Sequence, residues 1–102
     1  MGIEMLIPIG AEHAISRQQL CLLTGDPDRR NRELIERARR DGHIIINSQD
    51  GSGYYRIDTD SINDNELNAI SRQYWQGQRR AKSILSYQKY LRKILIAHNM
   101  KV

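Results

Sequence analysis

No acidic residue follows Glu66. Residues 67–102 carry eight Lys and Arg with no Asp or Glu, a local charge of +8. Residues 1–66 hold all 12 acids beside eight basic residues, a local −4, which leaves the 102-residue chain at +4. Such asymmetry points the C-terminal third toward nucleic acid, an acidic partner or another anionic surface. Cysteine is almost absent as well: Cys21 is alone, which excludes an intramolecular disulfide and a multi-cysteine zinc site. A reducing cytosol is the simplest compartment for such a chain, so a cytoplasmic location is expected.

Long hydrophobic runs are missing, none approaching the ~18 residues of a membrane helix, so no membrane role is expected. The opening MGIEMLIPIG has no basic region ahead of its short apolar stretch and does not read as a signal peptide. Its Met-Gly start fits a myristoylation motif, but Leu6 stands where that motif takes Ser or Thr. Internal repeats and low-complexity segments are also lacking. Catalytic patterns are sparse. His13, His43 and His98 are scattered with no H-x-x-x-H pair, and no calcium loop, phosphate-binding glycine loop or activated nucleophile stands out. Asp58 with Asp60, and Asp64 with Glu66, are closely spaced carboxylates. The second pair falls in a helix first turn, where the dipole favours acids anyway. The expectation is a non-enzyme with no cofactor and no metal.

The most informative stretch is Asp26–Gly42, DPDRRNRELIERARRDG. Asp26 can cap a helix, Pro27 suits its first position and Gly42 can close it, which predicts a helix over 27–41, roughly four turns. Leu34, Ile35 and Ala38 share one face at helical spacing, with Asn31 on the same side. Arg29, Glu33, Glu36, Arg37 and Arg40 form the opposite face, with Arg30 at its border and Arg32 and Arg39 on the flanks. Before it, Ser16 and Gln19 have capping-box spacing and Ile15 and Leu20 staple spacing, which predicts a two-turn helix ended by Thr24-Gly25 with Leu20 and Leu23 facing inward. On so short a helix, Cys21 reads as a small buried hydrophobe. Ile3, Met5 and Ile7 alternate as a short edge strand would, although an ordered tail covering the core fits as well.

After Gly42, His43–Asn47 and Gly53–Ile57 read as two strands joined by the loop SQDGSG, a β-hairpin in which one of Tyr54 and Tyr55 faces the core. Asn63 and Glu66 repeat the cap spacing, with Ile62 and Leu67 as a staple pair, and start a last helix at Asp64. Nothing stops that helix before about His98. Leu67, Ile70, Tyr74, Gly77, Ala81, Ile84, Gln88, Leu91 and Leu95 follow a 3-4 spacing. An unbroken helix of ~35 residues would run ~50 Å, too long for so small a domain to cover. Either it breaks near Gln76–Gln78, or it projects and pairs with another helix. The domain organisation expected is 1–62 and a basic helical extension, 63–102.

The segments ISRQQL, TG, DRRNRELIERARRDGHII and GSGYY resemble the small winged helix-turn-helix proteins of bacteriophages and prophages. The resemblance rests on Ile15-Ser16, Gly25, Arg29, Arg32, Ile35, Arg39, Gly42 and Gly53-Tyr54-Tyr55. It covers residues 13–57 well and the tail loosely. Asn31 departs from it, at a position where an apolar residue is common. The resemblance implies a mainly helical α+β winged helix-turn-helix with a long C-terminal helical extension. It also implies double-stranded DNA binding in phage replication or transcription regulation.

The residues expected to meet DNA follow. Helix 27–41 would enter the major groove with Arg29, Arg30, Arg32, Arg37 and Arg40, Arg and Lys being able to donate to guanine O6 and N7. Glu33 and Glu36 would repel phosphate or accept from cytosine N4. The bland reading is a solvated face laced by i,i+4 pairs: Arg29–Glu33, Arg32–Glu36, Glu33–Arg37, Glu36–Arg40 and Arg37–Asp41. Six Arg against Asp28, Glu33, Glu36 and Asp41 leave that helix only +2. Arg17 and Gln18 are phosphate candidates on the first helix, and Ser52 and Arg56 on the wing. Arg56 reads equally as a surface ion pair with Asp50 or Asp58. Arg72, Arg79, Arg80 and Lys82, interleaved with aromatics, could track a backbone. The tail could equally bind an acidic partner or the acidic Asp58–Glu66 segment. Its seam over residues 67–98 supports a homodimer or a helical protein partner, with Gln88 either fixing register or exposed. The rival to DNA binding is an adaptor whose C-terminal helix docks on a replication or transcription protein.

Overall fold

A computed structural model describes residues 2–102. The protein is mainly helical α+β: two short helices, a β-hairpin and a long C-terminal helix. Helix α1 spans Arg17–Thr24, α2 Asp28–Arg40, strand β1 Ile45–Asn47, β2 Tyr54–Arg56 and α3 Asp64–Ala97. This order is compatible with a winged helix-turn-helix. Residues divide into two compact units, Met1–Leu67 and Asn68–Val102.

In the first unit, Ile3, Ile7, Ile15, Leu20, Ile35, Ala38, Ile45 and Tyr54 form the core cluster, with Leu6 and Leu34 packed against it. The N-terminal segment contributes by helical rather than strand spacing. Ile3–Leu6 is a 3-10 turn that buries Ile3 and Ile7 and leaves Met5 exposed, so the ordered tail replaces the alternating edge strand. Only its continuation pairs with the sheet: the Arg56 amide donates to the Pro8 carbonyl (2.7 Å) and the Gly10 amide to that of Arg56 (3.0 Å).

Helix α1 begins as its sequence dictates. The Gln19 amide donates to Ser16 Oγ and the Ser16 amide to Gln19 Oε1, each at 3.1 Å. Gly25 then ends it in the left-handed conformation, with φ 73°. Leu20 is fully buried, but Leu23 is 59% and Leu22 84% exposed, which corrects the inward placement of Leu23. The helix is too short to offer the core more than one full contact.

Helix α2 starts one residue late. Pro27 is the N-cap and makes no side-chain cap bond, so Asp26 does not cap it. The Asp26 amide instead donates to Thr24 Oγ1 at 3.1 Å, which keeps that residue in the turn. The helix ends in a Schellman arrangement: Gly42, φ 98°, donates to the Arg39 carbonyl (3.0 Å) and His43 to that of Ala38 (3.1 Å).

The hairpin is antiparallel, with Ile45 opposite Arg56, Ile46 opposite Tyr55 and Asn47 opposite Tyr54. Ile15 pairs with the far edge of β2, exchanging two 2.8 Å bonds with Tyr54. That approach is why residue 53 is glycine: a Cβ there would stand 1.9 Å from the Ile15 carbonyl oxygen, at φ +114°. Both Tyr54 and Tyr55 are buried, correcting the expectation of one outside. Tyr54 joins the core, and Tyr55 sits beside Ile46 on the other face, so the ribbon is covered on both sides.

Helix α3 begins on a second capping box, the Glu66 amide donating to Asn63 Oδ1 (2.8 Å) and the Asn63 amide to Glu66 Oε1 (3.0 Å). Ile62 and Leu67 stay exposed. The helix runs without interruption through Gly77 to Ala97, so no break occurs near Gln76–Gln78.

Candidate nucleic-acid interface

Helix α2 presents arginines on a face whose reverse side is locked. Ile35 is 2% exposed, and burying an aliphatic side chain of that kind is worth about 1.5–3 kcal/mol, while beside it the polar Asn31 is 1% exposed. Asn31 supplies specificity. Thr24 Oγ1 donates to its Oδ1 (3.0 Å), and its Nδ2 donates to Cys21 Sγ (3.4 Å). These bonds tie the end of α1 to the first turn of α2 and set how the two helices meet. They also assign Cys21: it is half-buried and serves as an acceptor rather than only as a small hydrophobe.

A second clamp crosses the same junction on the outside. Arg17 Nε and Nη2 grip the two Asp28 oxygens at 3.1 and 2.6 Å, and Arg32 approaches Asp28 at 3.2 Å. The hydrogen bonds from Arg17 hold the Asp28 carboxyl below its ordinary pKa, and Asp28 in turn raises that of Arg17. Arg32 therefore pairs backward with Asp28 rather than forward with Glu36.

The expected ion-pair ladder is only partly formed. Glu33 is approached by Arg29 at 3.7 Å and Arg30 at 3.6 Å, both loose. Among the described residues, Glu36, Arg37 and Arg40 have no ion-pair partner, so the pairs Arg32–Glu36, Glu33–Arg37, Glu36–Arg40 and Arg37–Asp41 are absent. Geometry favours the earlier acids: Asp28 and Glu33 each collect two guanidinium groups. The result is an exposed face on which Arg37 and Arg40 are uncommitted and Arg29 and Arg30 share one carboxylate.

The remaining basic groups of this unit are used internally. Arg39 Nε and Nη2 both donate to the Ile45 carbonyl, at 3.0 and 2.9 Å, clasping α2 to β1. Arg56 is half-buried and its Nε donates to the Ile7 carbonyl (2.7 Å), not to Asp50 or Asp58. Sequence spacing carried no signal for either clasp. Asn31 did leave one, as a polar residue on an otherwise apolar face.

The hairpin tip is ordered by Asp50. It accepts from Ser48 Oγ (2.6 Å), the Ser52 amide (2.9 Å) and Ser52 Oγ. The Ser48 and Ser52 bonds pull its carboxyl down to about 2. Ser52 thus lies exposed at the tip with its hydroxyl proton engaged, while Gln18 on α1 is exposed. In the second unit Arg72, Arg79, Arg80 and Lys82 are all exposed along α3, where Tyr74 and Trp75 meet edge to face at 5.0 Å. Many large apolar side chains of that helix are exposed too, which suggests a protein partner or an oligomer.

Among the described residues no His, Cys, Asp and Glu cluster could hold a metal ion. Nor is any helix among them long and apolar enough to cross a membrane. No family model matches the chain, and no curated protein or solved structure matches it either.

Proposed function

We propose that this protein binds duplex DNA with a sequence preference, as a winged helix-turn-helix whose α2 enters the major groove and whose β1–β2 hairpin is the wing. The observation that carries the reading is the exposed arginine face of α2, backed by a buried face and a hydrogen-bonded junction with α1. A reading helix must be held rigidly while its outer side chains remain available. Arg29 and Arg30, near the end of the helix that points into the groove, can exchange Glu33 for guanine O6 and N7. Arg37 and Arg40 can neutralise phosphates without breaking any intramolecular pair. Glu33 adds selectivity, since it either accepts from a cytosine amine or is repelled. The resemblance noted in the sequence supports a phage or prophage role in replication or transcription regulation.

The test is titration of the full chain against duplex libraries at several salt concentrations. Each neutralised phosphate steepens the log–log salt dependence by about 0.9. Arg29→Ala with Arg30→Ala should change which sequences are preferred, and Arg37→Ala with Arg40→Ala should weaken all of them. Binding that shows no preference and is indifferent to all four changes would reject the reading. The exposed apolar side chains of α3 favour a second reading, an adaptor that docks on a replication or transcription protein. On that reading, α3 substitutions abolish capture of the partner and leave any DNA binding unchanged.

A further inference from the structure

The second unit is helical without interruption as far as Ala97, and the side chains of that helix separate into two stripes. At 100° per residue, Tyr74, Gly77, Ala81, Ile84, Gln88, Leu91 and Leu95 fall on one side. Arg72, Arg79, Lys82, Lys89 and Lys93 fall on the opposite one. On the first stripe Tyr74, Ile84 and Leu95 are exposed and Leu91 is half-buried, an apolar surface that water does not favour. We propose that a second copy of this chain covers it, the segments Tyr74–Leu95 of the two copies pairing in parallel and in register as a two-stranded coiled coil.

Charge placement selects the occupant. Five of the eight basic residues of the tail lie on the far side of the helix from the seam, so an acidic helix seated there would leave most of them unpaired. Two copies of this helix leave the same residues facing outward, away from each other. Only Arg80 and Arg92 border the seam. In a parallel pair the flanking side chains meet five residues apart in sequence, g against e′ of the heptad. Arg80 then faces Leu85 of the second copy, and Arg92 faces Tyr87, whose ring can accept a cation over its face. Gln73 faces Gln78, and the helix ends at Ala97, before the position that would face Ile94. No like charges meet.

Orientation follows from Gln88. In parallel register the two Gln88 amides meet and satisfy each other, whereas antiparallel pairing would set each against an aliphatic layer and leave it unbonded. Gly77 and Ala81 take little room at the seam, and nothing lies within 4 Å of a Cβ placed at Gly77, so the backbones can approach closely there.

The inference does not depend on DNA binding and is tested without DNA, on the full chain. Sedimentation should show a monomer–dimer equilibrium that salt does not weaken and, by screening the two like-charged helices from each other, strengthens. A single monomeric species up to about 0.5 mM, well above the micromolar range of modest specific pairing, would overturn the proposal. So would association that weakens steeply with salt, the signature of the basic tail meeting the acidic residues 1–66 of a second copy instead of its seam. In a Cys21→Ser background, Gln88→Cys should oxidise to a covalent dimer, since a disulfide spans Cα atoms about 6 Å apart. Lys89→Cys, which turns away from the seam, should form no covalent dimer, and equal cross-linking at both positions would overturn parallel register. Ile84→Ala with Leu91→Ala should weaken association by about 100-fold or more while hydrogen exchange in α2 is unchanged. Gln88→Leu should tighten it and admit higher oligomers.

Discussion

Helices α2 and α3 are both rich in arginine or lysine, and they use their charge in opposite ways. On α2 three acids are interspersed among six arginines, Asp28 and Glu33 each hold two guanidinium groups, and Arg39 is turned into a clasp on β1. On α3 no acid follows Glu66, and the basic side chains stand along an exposed helix. The apolar residues differ in the same sense. Those of α2 lie in a core, whereas Ile84, Leu85, Ile94, Leu95 and Ile96 of α3 are exposed. A helix that has satisfied its apolar face locally can use its outer face for recognition. A helix that has not must find its apolar cover elsewhere.

The largest effect that would sharpen this contrast is a cavity. Ile35→Ala should cost about 2–5 kcal/mol in chemical denaturation, while Ile94→Ala should stay within about 0.5 kcal/mol at concentrations where the chain is monomeric. Equal losses would break the comparison. Next is Gly53→Ala, which forces a Cβ into the Ile15 carbonyl and a left-handed φ onto a non-glycine residue; a loss of about 1–3 kcal/mol, with faster exchange of the Tyr54 amide, is expected. Asn31→Ala should cost about 1–3 kcal/mol by leaving Thr24 and Cys21 without their buried partner, and calorimetry on the double variant with Thr24→Ala should recover part of it.

If α2 reads sequence, Arg29→Ala should remove roughly 1–3 kcal/mol of discrimination between bases, whereas Lys82→Ala should lower affinity for every duplex alike. A loss of preference from the tail variant instead would reverse the two roles. The smallest effect is acid stability. The Asp50 carboxyl sits at about 2 when folded, below the ordinary value of about 3.9 for an unfolded aspartate. Its contribution is therefore complete above that ordinary value and is lost as pH falls toward 2. Asp28, depressed by Arg17, acts in the same direction. Asp50→Asn should flatten the acid limb of a denaturation profile and leave the neutral plateau of its pH dependence flat.

Much of the local structure was legible in the chain. Both capping boxes, the left-handed Gly25 and Gly42 and the inward face of α2 depend on residues three to five apart, so their spacing reports them, whereas the continuity of α3 through Gly77 was open until the structure showed it. The candidate interface was legible only as a set of arginines. Which of them stay available was not, because Arg17, Arg39 and Arg56 are claimed by Asp28, Ile45 and Ile7, groups that spacing along one helix does not connect. The burial of both Tyr54 and Tyr55 likewise needed a second covered face of the hairpin, which alternation along one strand cannot show. The sequence alone thus determined where α1 starts and stops, where α3 starts and where charge is concentrated, since short-range hydrogen bonds and composition set them. Only the tertiary structure decided how that charge is divided between internal clasps and exposed arginines. A guanidinium group binds whichever oxygen the fold brings within 3 Å, and that depends on chain brought together from as far as 49 residues away, as between Arg56 and Ile7.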